Sequence, residues 1–404
     1  MLTLVFGICL SVFGPGLYTV AQAADWPNYR GPDHNGITSE IDWKANWGGS
    51  GPKGLWKKSI GIGFSSMTVA GGRVYAMGNT GKKTNQDIVY CFDAVTGEEK
   101  WKHSYPCSLG AKYYEGGTLT TPTVDGDRVY TLSKMGTFFC LNAADGKVIW
   151  QKELNKDMRN DLPTWHFAGS PLVVGDMLVL NIGDAGLALN KNTGATIWAN
   201  GQGKCGYATA VPFVMGGQRG LAIFGKDSIV AVSPNDGKKL WQFTWETKND
   251  VNAADPIIYD KYVFISSGYG RGCALLEINA GKATKVWESK VMRNHFNCSV
   301  LYDGFLYGFD ESEFKCIVPQ DGTEKWGDKG LGKGSLMMSA DGRMIIMSDK
   351  GELVIAQANP QQFKVVARAQ ILPKSKCWTT PVLANGKIYA RNAAGDLVCV
   401  DVGG

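Results

Sequence analysis

The sequence predicts an all-β protein: an eight-bladed β-propeller of four-stranded antiparallel blades, its ring closed by an N-terminal strand. Three observations carry this expectation. Trp56, Trp101, Trp150, Trp198, Trp241, Trp287 and Trp326 recur at intervals of 39 to 49 residues, a period that belongs to propeller blades or solenoids. Within each interval apolar residues alternate with period two, as in TPTVDGDRVYTL (121–132) and TPVLANGKIYAR (380–391), where Asp125-Gly126 and Asn385-Gly386 mark hairpin turns. No stretch carries the 3.6-residue periodicity of a long amphipathic helix.

Taken from the N-terminus, residues 1–24 read as a signal peptide. Leu2 to Val20 is mostly apolar and uncharged, and Ala21-Gln22-Ala23 has the small-x-small pattern of a cleavage site. The segment lacks a basic n-region, so an uncleaved anchor stays open as an alternative, while Cys9 lies too early for a lipid-anchor motif. Residues 25–51, rich in Trp, Pro and Gly, read as an extended segment draped over the propeller surface. Residues 52–404 form the propeller.

Eight inner hairpins are expected to start near Ser66, Thr121, Ser170, Val211, Asp255, Cys298, Leu336 and Thr380. The last unit has sequence for only three strands, whereas GLWKKSI (54–60) is an orphan strand with the outer-strand signature. Pairing of the two would remove the open edges of an unclosed ring. The recurrent Trp residues are read as blade-docking side chains. Each would bury roughly 150–250 Å², worth at most about 4–6 kcal/mol at ~25 cal/mol per Å². The seventh unit, QANPQQFKVVARA, places Val365 or Val366 where Trp belongs and should be the least firmly stapled.

Composition limits the partners. The 42 basic and 37 acidic residues are evenly spread, with a net charge of +5 and no basic stripe, which argues against nucleic acid. The expected product is a monomer without a membrane span in the mature chain. Cys91, Cys140, Cys316 and Cys399 occupy one repeat position and read as small core residues. Cys107, Cys205, Cys298 and Cys377 precede inner strands, where a bridge is conceivable but not derivable.

The loops that enter the inner strands should gather at one mouth of the channel. That mouth is expected to collect Tyr113, Tyr114, Glu115, Trp165, His166, Asn252, Asp255, Arg271, His295, Asn297, Lys333 and Trp378, with Arg159, Tyr269, Asp310, Glu311 and Lys376 nearby. His166 and His295 stand on different units, and no metal-ligand spacing occurs, so no metal is expected. Arg271 in GYGRG offers a hold for an anion, beside the plainer reading of a solvated loop. Asp310, Glu311 and Glu313 suggest paired carboxylates, but adjacent residues point apart. No catalytic residue is assigned.

The repeat best seen in CFDAVTGEEKW (91–101) resembles the PQQ-repeat propellers, a family that includes quinoprotein alcohol dehydrogenases and the outer-membrane assembly factor BamB. DWPNYRGPDHNGI (25–37), ISSGYGRGCALLEI and NHFNCSVLYDGFLYGFDE bring it nearest to BamB-like secreted propellers. That resemblance implies a periplasmic or secreted, non-catalytic scaffold recognising a protein, peptide or glycan of the cell envelope, with no cofactor. The alternative it implies is an alcohol or sugar dehydrogenase using PQQ with calcium. The dehydrogenase pattern has two adjacent cysteines and a metal held by Glu, Asn and Asp. No Cys-Cys pair occurs here, and no motif gives those roles to Glu311, Asn252 or Asp255.

Overall fold

The computed structural model describes residues 24–157 and 161–403. Residues 1–23, most of the segment read as a signal peptide, and the mouth candidate Arg159 lie outside the described residues. Eight sheets follow one another round the ring, each a four-stranded meander, and one of them gains a fifth strand. The short stretch Leu154–Asp157 is the one α-helix among the described residues, and no helix there is long and apolar enough to cross a membrane.

The first blade shows the pattern: inner strand Thr68–Ala70, then Arg73–Asn79, Gln86–Asp93 and outer strand Glu99–Pro106. The eighth blade is completed across the termini. Lys53–Ser59 pairs antiparallel with Asp396–Asp401, and Trp56 faces Cys399. The expected clasp is therefore present, its N-terminal strand one residue earlier than GLWKKSI (54–60).

In all eight blades the pairing of third and outer strands slips by one residue at the same place. The residue after the bulge is Trp in seven blades. Its partner on the third strand is Cys91, Cys140, Cys316 or Cys399 in four of them, which explains the recurrent small residue. The indole then crosses to the next blade. Trp101 Nε1 donates to Ala143 O at 2.9 Å, and Trp56, Trp150, Trp198, Trp287 and Trp326 donate to equivalent carbonyls of their neighbours. The turn glycine of the neighbour lies flat on the ring: a Cβ on Gly146 would sit 2.5 Å from Trp101, and one on Gly194 2.8 Å from Trp150. Glycine is needed there both for its positive φ and for this close approach.

The seventh blade departs from the sequence reading. The register pairs Ile355 with Ala367 after the bulge, so Ala367, rather than Val365 or Val366, stands at the Trp position. Both valines point outward, as do the bulge-region residues Val148 and Ile149 of the second blade. Support comes instead from the N-terminal segment. Trp47 packs on the same core cluster as Ala367, and Ile37–Thr38 adds a parallel fifth strand against Met338 and Ser339.

All nine cysteines among the described residues are buried free thiols. Burial pushes Cys91 up to about 11 and Cys399 up to about 12, as it does for a small apolar side chain with no outlet for a thiolate.

Two glycines separate the causes of turn stability. Gly146→Ala meets the Trp101 ring, whereas Gly126→Ala, at φ +58 with nothing within 4 Å of the new Cβ, meets only backbone strain. The first should cost clearly more than the ~1 kcal/mol expected of the second, read as the difference in their denaturation midpoints.

Candidate functional site

The inner strands meet the channel as edge strands, so the N–H groups at their starts need partners outside their own sheets. The next blade supplies them. Ser66 N donates to Thr121 Oγ1, Thr121 N to Ser170 Oγ, Ser170 N to Thr209 Oγ1, Thr209 N to Asp255 Oδ1, and Asp255 N to Cys298 Sγ, at 2.8 to 3.1 Å. Asn297 Nδ2 to Gly334 O, Ser335 Oγ to Thr379 O and Ser66 Oγ to Thr380 O carry the belt through the remaining blades. The belt forms the throat.

Above the throat lies a cavity of about 280 Å³. Two residues before the belt position, successive blades present Phe64, Leu119, Ala168, Tyr207, Ala253, Phe296 and Trp378 to it. The loops that lead into and between the strands add Tyr113, Tyr114, Trp165 and Tyr269 to the lining. The rings touch in series. Tyr269 meets His295 at 4.3 Å, His295 meets Phe296 at 4.7 Å, and Phe296 meets Trp378 at 4.3 Å. Trp378 stacks on Phe64, Phe64 meets Tyr114, and Tyr114 meets Trp165. An aromatic girdle with few polar atoms is the result.

The cavity is closed from the other side. Asp25 accepts from Gly71 N–H at the inner hairpin turn of the first blade, and Pro27 O accepts from Val124 N–H. The chain then turns inward, so that Tyr29 floors the cavity with its hydroxyl 3.7 Å from Cys298 Sγ. Arg30 follows, donating to Ser299 O and lying 3.9 Å from Asp255.

Of the residues expected at the mouth, Tyr113, Tyr114, Trp165, Asp255, His295, Asn297 and Trp378 line the cavity. The other five are engaged elsewhere. Asn252 is buried, its amide donating to Gly225 O, Lys226 O and Trp245 O while Ser267 Oγ donates to its carbonyl, so it braces a wall. The Arg271 guanidinium lies 3.4 Å from the Trp245 ring centre and pairs with Glu288 at 2.6 Å, which leaves no hold for an anion. Glu115 pairs with Lys376, which itself covers Trp378 at 4.3 Å. His166 packs beside Gly110, with burial and then Lys134 lowering its pKa. Lys333 bonds to Glu311 Oε2 and His295 Nδ1, at 3.0 and 2.9 Å.

Glu311 is the centre of that last group. It also accepts from Tyr269 N–H at 2.8 Å and contacts His295 Nδ1 at 2.9 Å. Burial works to raise its carboxyl, but His295 and Lys333 outweigh it and hold the pKa at about 2. Tyr113, His166, Tyr269 and Glu311 all adopt positive φ, a backbone cost carried by the loops of this face. Asp310 is bound by Arg293 and Lys315, so the two adjacent carboxylates serve separate ion pairs. Phe64, Tyr207, Phe296 and Tyr29 escaped the sequence reading. For the first three, their shared offset from the inner strand was the available signal.

Asp255 makes the throat pH-sensitive. Burial raises its pKa to about 6 against the pull of Arg30 and the Thr209 N–H. A carboxyl with a folded pKa above its unfolded value of about 3.9 favours folding below pH 4 and loses that contribution as pH rises through 6. The wild-type protein should therefore show a stability component of up to about 3 kcal/mol that declines between pH 4 and 6. Denaturation across that range should find the decline absent in Asp255→Asn.

The family profile described as "Outer membrane protein assembly factor BamB" matches residues 84–328. The chain is 25% identical over 380 residues to the outer membrane protein assembly factor BamB of Yersinia pestis, spanning 85% of this chain and 87% of that protein. The BamB of Moranella endobia is 24% identical over 382 residues, with 86% and 89% covered. Among solved structures, BamB from Moraxella catarrhalis aligns with a TM-score of 0.59 at 15% identity, over 86% of this chain and 98% of that one. A europium-containing methanol dehydrogenase aligns with a TM-score of 0.66 at 13% identity, over 93% and 89%. The solved structures at these identities share the fold. The profile covers more than half of the sequence, and the chain belongs to the outer membrane protein assembly factor BamB family.

Proposed function

We propose that this protein is a non-catalytic scaffold of the cell envelope, periplasmic or secreted, that docks a protein partner on its mouth face. The observation that carries the reading is the rim. Tyr113 is 88% exposed and Tyr269 45% exposed, both on loops held at unfavourable φ. Large aromatics kept in water at a backbone cost have the character of interface anchors. The relatives named as outer membrane protein assembly factors are of the same family, which favours an envelope protein as the partner over a free peptide.

The quinoprotein alternative fits the residues poorly. Among the described residues no three His, Cys, Asp or Glu side chains converge as cation ligands. Asp255, the carboxylate at the throat, is committed to the Thr209 N–H and to Arg30. The thiol nearest it, Cys298, accepts the Asp255 N–H.

A photo-crosslinking residue at position 113, compared with one at Val95 on the opposite hairpin-turn face, tests the docking reading in intact envelopes. A discrete adduct to one envelope protein from 113 and not from 95 is the expected outcome. Equal labelling from both positions, or none from 113, sinks it. Stoichiometric retention of PQQ with calcium, together with dye reduction in the presence of alcohols or sugars, would overturn the non-catalytic part.

A further inference from the structure

We infer that the throat beneath the rim is a separate binding site for one ring of a neutral carbohydrate. This goes beyond the docking of a protein on the rim and does not depend on it. The argument rests on hydroxyls that the belt leaves half used. Thr121, Ser170 and Thr209 each accept a neighbouring blade's N–H, and among the described residues none donates its own O–H. They are 2%, 3% and 6% exposed, and all three line the cavity. Three adjacent blades thus turn three unspent donors toward one space.

An acceptor faces the same space. Asn297 spends its amide N–H on Gly334 O, while its carbonyl has no partner among the described residues. The flanking walls are aromatic, with Trp378, Tyr207 and Tyr114 among the rings that line the cavity. The charge is internally balanced, with Asp255 next to Arg30. Donors, an acceptor, stacking surfaces and no free charge describe a neutral polyhydroxylated ring.

The competing occupant, an apolar side chain of a docked protein, would stack equally well. It would also cover the three O–H groups without giving them acceptors, and burying an unmade hydrogen bond is costly. At about 280 Å³ the cavity falls just below the ~300–1,000 Å³ of sites for drug-sized ligands, which suits a single ring.

The test uses the full mature chain, following tryptophan fluorescence and heat of binding with glucose, galactose, mannose and N-acetylglucosamine, and with phenylalanine amide as the apolar probe. At least one sugar should bind saturably with a dissociation constant of about 1–10 mM, as its size allows. Trp378→Ala should weaken it at least about fivefold, an ordinary cost for losing a stacking ring. Thr121→Val should weaken it similarly and Thr121→Ser should restore it, with unchanged near-ultraviolet circular dichroism establishing that each variant is folded. Binding of phenylalanine amide with no sugar bound overturns the proposal in favour of an apolar anchor. Absence of binding by every probe at ten times the expected constant overturns it outright, and so does sugar binding indifferent to both Trp378→Ala and Thr121→Val. None of these outcomes bears on crosslinking from position 113.

Discussion

Eight sheets converging on an axis place eight edge strands in one narrow channel, and each edge brings N–H groups that no strand can pair. Water in the channel, a ligand, or the neighbouring blade must satisfy them. In this protein the neighbouring blade does, through the side chain two residues before its own inner strand. The belt from Ser66 to Cys298 thereby sets two things together: the angular spacing of the blades and the identity of the atoms at the throat. The outer indoles hold the same spacing at larger radius, five of the seven resting on a glycine of the following turn. With both radii fixed, the loops of the mouth have a rigid base on which strained conformations can persist.

The outer architecture was legible in the sequence because it is local and repeated. Trp, the turn glycine and the small residue on the third strand lie within eleven residues of one another, so one blade announces all of them. The inner belt is repeated as well, but its members are chemically mixed: Ser, Thr, Asp and Cys perform one task, and only the alignment of blades exposes the equivalence. Asn252, Arg271 and Glu115 were read as mouth residues because polar loop residues look available in a sequence. Asn252 folds back on Trp245 and on Gly225 and Lys226, Arg271 meets Glu288 on the outer strand of its own blade, and Glu115 meets Lys376 from a loop 261 residues away, pairings that spacing along the chain does not reveal. Ala367 was displaced by a similar cause, since a bulge shifts the register by a residue that alternation alone cannot count.

The N-terminal segment was the least legible part, being present in one copy with no period to betray it. It is more than a drape. Asp25 and Pro27 bind the first two blades, Arg30 reaches the fifth and sixth, and Ile37–Thr38 extends the seventh. Glu40 accepts from the backbone N–H groups of Asn385 and Gly386 in the eighth. One short stretch of chain touches six blades and leaves Tyr29 as the floor of the cavity. The shape of the site is thus a joint product of the repeats and of a sequence outside them.

The pairing of Lys53–Ser59 with Asp396–Asp401 separates its two partners by more than 330 residues. Contacts so distant along the chain are slow to form, because the entropy of closing the intervening loop is spent before the pairing returns anything. During synthesis the first strand of the clasp leaves the ribosome with nothing to pair with, and it stays an unpaired edge until the last residues follow. The third strand of the eighth blade becomes an edge as soon as it emerges, and stays one until the clasp closes. Each molecule therefore passes through a stage with two complementary unpaired edges, which opens a route to exchange between chains. The seam that completes the ring is also the last part of it to be protected from such exchange.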